Sequence, residues 1–284
     1  MNTSMASAPI TSFKNALREL VRPIKFWYTL KTQPRQNKVY TQFNRFPHQY
    51  QALVEKVIPR FITADGSSKS GPLKIAVFAC CTGAEPFSLA YTLRSHFPNL
   101  EFSIRAYDIV KEVVEQAKSG RYTQEEVDEG DFISNDFIEN VFDRVDNGLE
   151  VKPCYRDSVS FAVGDMLDVT SMASIGNCDL VFAQNVLFHL PADLAVKAFS
   201  NLCNLLSSPS VLFINGMDTD MRIKYTKKLK LFPLNYLVEE IHNDARVNRG
   251  AGWANQYWGR GPFSNKSREW VRKFGTIYSP TEWL

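Results

Sequence analysis

The chain has 284 residues, of which 44% are hydrophobic and 22% are charged, and its formal net charge is +3. This composition is ordinary for a soluble globular protein. No apolar run reaches the roughly 20 residues needed to cross a bilayer, we expect no secretory signal in residues 1–20, and five cysteines without metal-ligand spacing favour reduced thiols in the cytoplasm.

The first 62 residues are predicted to form an N-terminal helical segment. Residues 12–32 carry an apolar pattern that Pro23 interrupts, which predicts two short helices or one kinked helix. This basic amphipathic stretch fits packing on the main domain or lying on a membrane surface. A further helix is predicted from Pro47, with apolar side chains every three or four residues. The turn-rich residues 63–72, "TADGSSKSGP", then mark a boundary.

Residues 73–217 alternate between predicted strands and helices. The strands are "KIAVFAC", "EFSIRAYDI", "NCDLVFAQNVL" and "SVLFING", and the intervening helices are "EPFSLAYTLRSHF", "KEVVEQAKSG" and "PADLAVKAFSNLCNLL". This alternation predicts an α/β fold with a mostly parallel, doubly wound sheet. At about residues 121–161 a short helix and an alternating run predict a β-rich insertion. Residues 218–284 form a C-terminal extension rich in Trp, Tyr and Arg, interpreted either as a lid over the site or as a docked tail.

The charge is distributed unevenly along the chain. Residues 1–60 carry 10 lysines and arginines against 2 acidic residues, and residues 221–284 carry 12 against 5, so the middle is acidic. Basic ends suit an anionic partner such as an acidic carrier protein, a membrane surface or nucleic acid. Alternatively, they are solvated helices or they pair with the acidic middle. We expect a cytoplasmic protein, with the inner-membrane surface as a peripheral location.

Polar residues follow the predicted strands at the edge where parallel sheets bind ligands. Thr82 and Glu85 have the spacing of a capping box, so Glu85 either caps a helix or lies near a cationic group. The turn has one glycine, Gly83, which does not suit a pyrophosphate. Asp108 is either a ribose ligand or a helix N-cap. Asp165 suits an adenine amino group or a turn, and Asn185 ends the third of these strands.

Four segments of the chain match known motifs. "TQFNRFPHQYQALVEKVIP" is similar to "TxFFRxxxxFxxL", and "CTGAEPFS" is similar to the turn "STGEEPYS". "AYDIVKEVVEQAKSGRY" resembles "ATDIDxxxLxxAxxGxY", and "CDLVFAQNVLFHL" resembles "FDLIFCRNVLIYF". These motifs occur in this order in the CheR-type S-adenosylmethionine-dependent methyltransferases, which the chain resembles over about residues 41–217. The resemblance implies a Rossmann-like class I methyltransferase fold and S-adenosyl-L-methionine as the cofactor.

The resemblance also implies the residues that contact this cofactor. They match or flank the family's positions and are Thr41, Arg45, Ala79, Gly83, Glu85, Asp108, Asp165, Met166, Asn185 and Val186. Thr41 and Arg45 match residues that reach the methionine carboxylate, for which arginine is the natural partner. Asp108 matches the ribose-binding aspartate, and Asp165 stands where the family has an asparagine near the adenine. The turn at Gly83 is thus expected to hold a sulfonium cofactor without phosphate.

The reaction implied by the resemblance is methyl esterification of a carboxylate. A carboxylate is ionised at neutral pH, so positioning and desolvation supply most of the acceleration. The predicted catalytic residues are Arg45 and His189. His189 replaces the tyrosine of the family's "IYF" and is interpreted as an acceptor contact or base, or as a core or capping histidine.

Three departures from the motifs bear on the acceptor. Asn44, Gln184 and His189 differ from the family on the expected acceptor side, whereas the cofactor-facing positions are kept. This favours a small-molecule or acyl acid, for example a hydroxy fatty acid converted into a methyl ester signal. The alternatives are CheR-like methylation of chemoreceptor glutamates, which the β-rich insertion supports, and a non-catalytic S-adenosylmethionine-binding regulator. The missing GxGxxG excludes a nicotinamide enzyme, and the acidic centre without an NPPY-type tetrad excludes nucleic-acid methylation.

Overall fold

The computed structural model describes residues 41–130, 132–244 and 263–283, which fold around a central sheet. The described strands are β1 Leu73–Phe78, β2 Phe102–Asp108, β3 Arg121–Tyr122, β4 Phe142–Val145, β5 Gly148–Val151, β6 Val159–Val163, β7 Cys178–Ala183, β8 Leu206–Ile214, β9 Phe232–Pro233 and β10 Ile277–Ser279. The described α-helices are α1 Pro47–Ala52, α2 Ala84–His96, α3 Lys111–Ser119, α4 Gln124–Asp128, α5 Asn135–Val141, α6 Pro153–Arg156, α7 Val169–Ile175, α8 Ala192–Cys203, α9 Thr219–Lys228, α10 Val238–Asp244 and α11 Trp270–Phe274.

The main sheet has seven strands in the order β6-β2-β1-β7-β8-β10-β9. Neighbouring strands from β6 to β8 are parallel, and β10 is antiparallel to both β8 and β9. From β1 the chain moves outward to β2 and β6 and then returns to the other side of β1 at β7. The strand order thus reverses between β1 and β7, where open α/β sheets bind their ligands. This topology confirms the expected Rossmann-like class I methyltransferase fold.

The sheet is buried on both faces because alternate residues of each strand point to opposite sides. On one face, Ile75, Val77 and Phe182 pack in a core that includes side chains of α2 and of the helix beginning at α1. On the other face, Phe78 and Val181 pack in a core that includes side chains of α7 and α8. Helices therefore cover both faces, as the alternation of strands and helices predicted.

A small antiparallel sheet, in the order β3-β5-β4, carries its own core. Phe43, which precedes α1, is 1% exposed in this core and makes edge-to-face contacts with Tyr122 at 4.9 Å and Phe142 at 5.2 Å. Such aromatic pairs are specific packing contacts. These contacts of Phe43 thus fix the segment that contains Thr41 and Arg45 against the small sheet.

The predicted insertion at 121–161 contains strands of both sheets. The small sheet ends at Val151, whereas β6 pairs in parallel with β2 at the edge of the main sheet. Sequence alternation could not separate these strands, because a period of two is common to half-buried strands in any sheet.

The C-terminal extension at 218–284 completes the main sheet through β9 and β10. Residues 245–262, which contain much of the Trp- and Arg-rich stretch expected as a lid or tail, lie outside the described residues, as does the helix expected at 12–32. In the described part of the chain, every helix is too short or too polar to cross a bilayer.

Candidate functional site

Strained backbone marks the sheet edge at which the loops after β1 and β7 diverge. Six described residues other than glycine have positive φ, and four of them lie at this edge: Asn44 (49°), Ala79 (55°), Cys81 (50°) and Asn185 (50°). Positive φ is uncommon for residues with a side chain, and such strain clusters at functional sites. The conformation of these loops is therefore consistent with a binding site at this edge.

The turn after β1 starts its helix differently from the prediction. Gly83, with φ of 96°, is the N-cap of α2, and no side chain caps the helix. The capping box predicted for Thr82 and Glu85 is therefore wrong, because the helix begins at Ala84, one residue too late for that spacing. A Cβ on Gly83 would lie about 3.1 Å from both Tyr122 and Phe161. Gly83 thus permits both the left-handed backbone conformation and the close packing of Tyr122 and Phe161 against this turn.

Glu85 lies in the first turn of α2. Its side chain is only partly exposed, and burial raises its pKa to about 8, an effect that the nearby Arg45 guanidinium reduces. Tyr50, on α1, lies near Ser88 of α2, and burial and the Glu85 carboxylate raise the pKa of its phenol, an effect that Ser88 reduces. A carboxylate, a guanidinium and a phenol from three segments therefore converge here.

Tyr50 is a candidate that the sequence analysis missed, because it counted this position as apolar. The sequence did contain a feature that could have identified Tyr50: it lies five residues after Arg45, at a position where the resembled motif has phenylalanine. A tyrosine there adds a hydroxyl that a buried phenylalanine does not need.

Asp108, at the end of β2, bonds the backbone of two loops. Its Oδ2 accepts from the Cys81 N–H at 2.9 Å, and its Oδ1 accepts from the Val110 N–H at 3.0 Å. The N-cap of α3 is Val110, so Asp108 does not have the predicted N-cap position. Each carboxylate oxygen has two acceptor sites, which leaves capacity for ribose hydroxyls at this partly exposed position.

Asp165 and Met166 follow β6, next to Asp108 in the sheet. The Gly164 N–H donates to the Asp108 carbonyl at 2.9 Å, and Asp165 Oδ1 accepts from the Leu167 N–H at 2.9 Å. Asp165 is therefore the turn aspartate of one interpretation, and it stays partly exposed at the expected adenine end. The Met166 side chain is 6% exposed and packs in the core, and its expected contact with the cofactor stays a prediction.

The loop after β7 brings Asn185 and His189 to the same sheet edge. The Asn185 N–H donates to the Asn215 carbonyl at 3.1 Å, and Val186 packs against the core below. His189 ends a 3₁₀ turn, Leu187–His189, and its ring centroid lies 4.0 Å from that of Phe188. His189 is partly exposed and so remains a candidate for contact with an acceptor.

Two of the three motif departures make hydrogen bonds within the protein. Asn44 Nδ2 donates to the Phe132 carbonyl at 3.1 Å, and the Asn44 N–H donates to Ser88 Oγ at 2.9 Å. Gln184 is 8% exposed, and its Nε2 donates to Gln49 Oε1 at 2.6 Å. These contacts favour a structural role for Asn44 and Gln184, and the acceptor-side role of His189 stays a prediction.

The described side chains fit S-adenosyl-L-methionine in charge and hydrogen-bonding capacity. Arg45 suits a carboxylate and Glu85 an ammonium, so the pair matches the two charges of an amino acid. Asp108 provides acceptors for hydroxyls. Thr41, which precedes Arg45, and Ala79, which precedes the turn at Gly83, are both partly exposed. The donor set thus matches a zwitterionic nucleoside better than a polyphosphate, which would require backbone amides and cations.

Comparison with known proteins assigns the family. Residues 39–236 match the family described as "CheR methyltransferase, SAM binding domain". The chain is 28% identical to chemotaxis protein methyltransferase 1 of Pseudomonas aeruginosa, over 63% of this chain and 65% of that protein. It is 27% identical to a chemotaxis protein methyltransferase of Listeria monocytogenes, over 63% of this chain and 64% of that protein. The matches therefore span slightly less than two thirds of these relatives.

Further relatives agree with this assignment. The probable biofilm formation methyltransferase WspC of Pseudomonas putida is 30% identical over 61% of this chain and 40% of that protein. Among solved structures, magnesium protoporphyrin IX methyltransferase from Synechocystis PCC 6803 aligns with a TM-score of 0.37 and 16% identity, over 83% of this chain and 91% of that one. The fold assignment rests on the strand order and not on this alignment. The family match covers well over half of the sequence and confirms S-adenosyl-L-methionine as the expected cofactor: the chain belongs to the CheR methyltransferase family through its SAM-binding domain.

Proposed function

We propose that this protein is an S-adenosylmethionine-dependent carboxyl O-methyltransferase that esterifies glutamate side chains of a chemoreceptor-like protein. The observation that carries the proposal is the family match over residues 39–236, which includes both the cofactor edge and the small sheet. The names of the curated relatives, chemotaxis protein methyltransferases, point to the same process.

A protein acceptor is favoured over a small or lipid-like acid. The case for a small acid depended on departures at Asn44, Gln184 and His189. Asn44 and Gln184 make internal hydrogen bonds, so their identities follow from packing. The small sheet, in contrast, is retained with a complete aromatic core around Phe43. A free fatty acid is accordingly the second acceptor class to test.

The proposed mechanism needs binding and orientation more than proton transfer. The cofactor, when bound, supplies an electrophilic methyl group on a positively charged sulfur. Arg45 and Glu85 hold the amino-acid end, and Asp108 holds the ribose, which fixes the direction of the methyl group. An acceptor carboxylate near His189 is already ionised at neutral pH. Alignment and exclusion of water then supply the rate enhancement.

The test is a methyl-transfer assay with S-adenosylmethionine that carries a labelled methyl group. The acceptors are the cytoplasmic domain of a chemoreceptor from the same organism and, separately, a panel of hydroxy fatty acids. Base-labile label in the receptor, lost when its glutamates are changed to alanine, supports the proposal. Label in the fatty acids alone would replace the proposed acceptor class. Cofactor binding without transfer to either acceptor would favour a regulator that binds S-adenosylmethionine. An Asp108→Ala variant, which is expected to bind the cofactor more weakly, is the control and should transfer less label at limiting S-adenosylmethionine.

A further inference from the structure

Three buried polar side chains from distant parts of the chain are hydrogen-bonded in series. Gln184 Nε2 donates to Gln49 Oε1 at 2.6 Å, and Gln49 Nε2 donates to Thr276 Oγ1 at 2.8 Å. Their exposed fractions are 8%, 5% and 5%, in the order Gln184, Gln49 and Thr276. Buried amides are held in one arrangement, because losing a partner leaves a polar group unpaired away from water.

This series joins the two segments that carry Arg45 and Asn185 of the candidate site. Gln49 lies in the first turn of α1, four residues after Arg45, and Gln184 directly precedes Asn185. The third member is fixed to the sheet, since the Thr276 carbonyl accepts from the Ile214 N–H of β8 at 2.8 Å. The hydrogen bonds therefore fix the position of α1 relative to the end of β7.

The same helix turn has a second attachment next to Gln49. His48 donates its backbone N–H to Asp244 Oδ2 at 3.1 Å, and His48 Nδ1 lies 2.7 Å from Asp244 Oδ1 at the end of α10. The His48 side chain is 40% exposed, whereas that of Asp244 is 3% exposed. The glutamine pair therefore links α1 to the end of β7 through two buried side chains, whereas the attachment of α1 to α10 includes the partly exposed His48.

We propose that Gln49 and Gln184 are positioning residues that hold Arg45 and Asn185 in register, so that both contact the amino-acid end of the cofactor. The inference rests on the proposed function for the identity of this cofactor. Both glutamines are buried, so in this proposal they act through the backbone of α1 and of the β7 loop. Gln184 stands where the resembled motif has arginine, so the pairing is a feature of this chain.

The test compares two ligands in a Gln184→Met variant of the full chain. Methionine has a similar volume and no amide, and the change also removes Gln184 Oε1, which has no hydrogen-bond partner among the described residues. We expect calorimetry to show an S-adenosylhomocysteine affinity about 10-fold weaker, or about 1.4 kcal/mol, because Arg45 and Asn185 are no longer held in register. Binding of 5′-methylthioadenosine, which lacks the amino-acid end, should change by less than about 2-fold.

A control variant separates positioning from general destabilisation. Thr226→Val removes a fully buried hydroxyl that donates to the Arg222 carbonyl within α9 at 2.7 Å. We expect this variant to lower stability and to leave both affinities unchanged. Equal weakening of both ligands by Gln184→Met, or unchanged affinity for both, would overturn the proposed positioning role.

A second measurement does not depend on any ligand. Hydrogen exchange of the ligand-free protein should accelerate in Gln184→Met at the Gln49 and Tyr50 amides, which donate to the Phe46 carbonyl. Exchange in α9 should remain unchanged. Unaltered exchange at Gln49 and Tyr50 would reject the link itself. If the wild-type chain binds no S-adenosylhomocysteine, and exchange is nevertheless faster in Gln184→Met than in wild type, the proposed function fails and the structural link stands.

Discussion

The backbone N–H of Cys81 donates to Asp108 Oδ2 at 2.9 Å, which ties the turn after β1 to the end of β2. The Asp108 carboxylate thereby supports a turn whose residue 81 has a φ of 50°. One aspartate side chain both fixes the strained turn and, in the proposed site, accepts from the ribose. A substitution at Asp108 is therefore expected to disturb both the turn after β1 and the ribose contact.

Asp108→Ala is expected to lower the affinity for S-adenosylhomocysteine. Loss of charge-assisted hydrogen bonds costs about 1.5–3 kcal/mol, which corresponds to about 10-fold to 100-fold in the dissociation constant measured by calorimetry. The matched control is Asp168→Ala, since Asp168 accepts from the Thr170 N–H at 3.0 Å and caps α7 without belonging to the candidate site. Equal affinity losses in both variants would contradict a ribose-binding role.

Glu85→Gln is expected to change how stability depends on pH. The folded pKa of Glu85 is about 8, above its ordinary value of 4.5. The unfolded chain loses this proton first, so the wild-type protein loses stability as pH rises from about 4.5 to about 8. The glutamine variant lacks this loss. At about 1.4 kcal/mol per pKa unit, reduced by partial exposure, we expect it to be more stable than wild type by about 1–3 kcal/mol at pH 8.

Urea unfolding of both proteins at about pH 5 and about pH 8 measures this difference. The gain should be smaller at the lower pH, where most of the penalty is absent. Parallel stability profiles for the two proteins would show that Glu85 titrates as an ordinary surface carboxylate. At pH 8, where the Glu85 carboxyl group is about half ionised, the same variant should bind S-adenosylhomocysteine more weakly, because an amide does not neutralise an ammonium.

Tyr50→Phe tests the residue that the sequence analysis missed. The Tyr50 hydroxyl lies near Glu85 and near Ser88, whose Oγ accepts from the Asn44 N–H at 2.9 Å. Removal of this hydroxyl should weaken S-adenosylhomocysteine binding by about 3-fold to 10-fold, the scale of one hydrogen bond to the ligand. Tyr91→Phe, elsewhere on α2 where Tyr91 packs against Phe137 at 5.2 Å, is the control. Identical affinities in the two variants would exclude Tyr50 from the site.

His189→Phe is expected to affect the acceptor and spare the cofactor. The acceptor carboxylate needs no base at neutral pH, so the change should raise KM for the acceptor and leave the S-adenosylhomocysteine dissociation constant within about 2-fold. Methyl-transfer kinetics and calorimetry on the same preparation measure the two quantities. A large loss of cofactor affinity would move His189 to the cofactor side of the site.

Sequence patterns predicted the main sheet well because its buried strands alternate with long helices. They could not assign β6 to the main sheet or the short β9 and β10, because these strands are too short, or too like other half-buried strands, to carry a specific signal. At the site, the patterns placed Glu85 and Asp108 at strand ends. They misread Thr82 because spacing does not reveal that Gly83 takes the left-handed position.

Long-range contacts also limited what could be predicted from the sequence. The hydrogen bond between Asn44 and Phe132 joins residues that are 88 positions apart, and that between Gln184 and Gln49 joins residues that are 135 positions apart. No local pattern encodes such pairs, so polar residues near a site were interpreted as ligand contacts when they are internal links. Tyr50 shows the opposite error, since an amphipathic pattern treats a tyrosine as apolar and ignores its hydroxyl.

Calorimetric titration of the wild-type chain with S-adenosylhomocysteine tests the proposed cofactor site most directly. We expect one site per chain with micromolar affinity, which is lost or strongly weakened in Arg45→Ala. Circular dichroism on the same sample establishes that the protein is folded. A folded wild-type chain that binds no S-adenosylhomocysteine would contradict the assignment of the β1–β7 edge as a cofactor site.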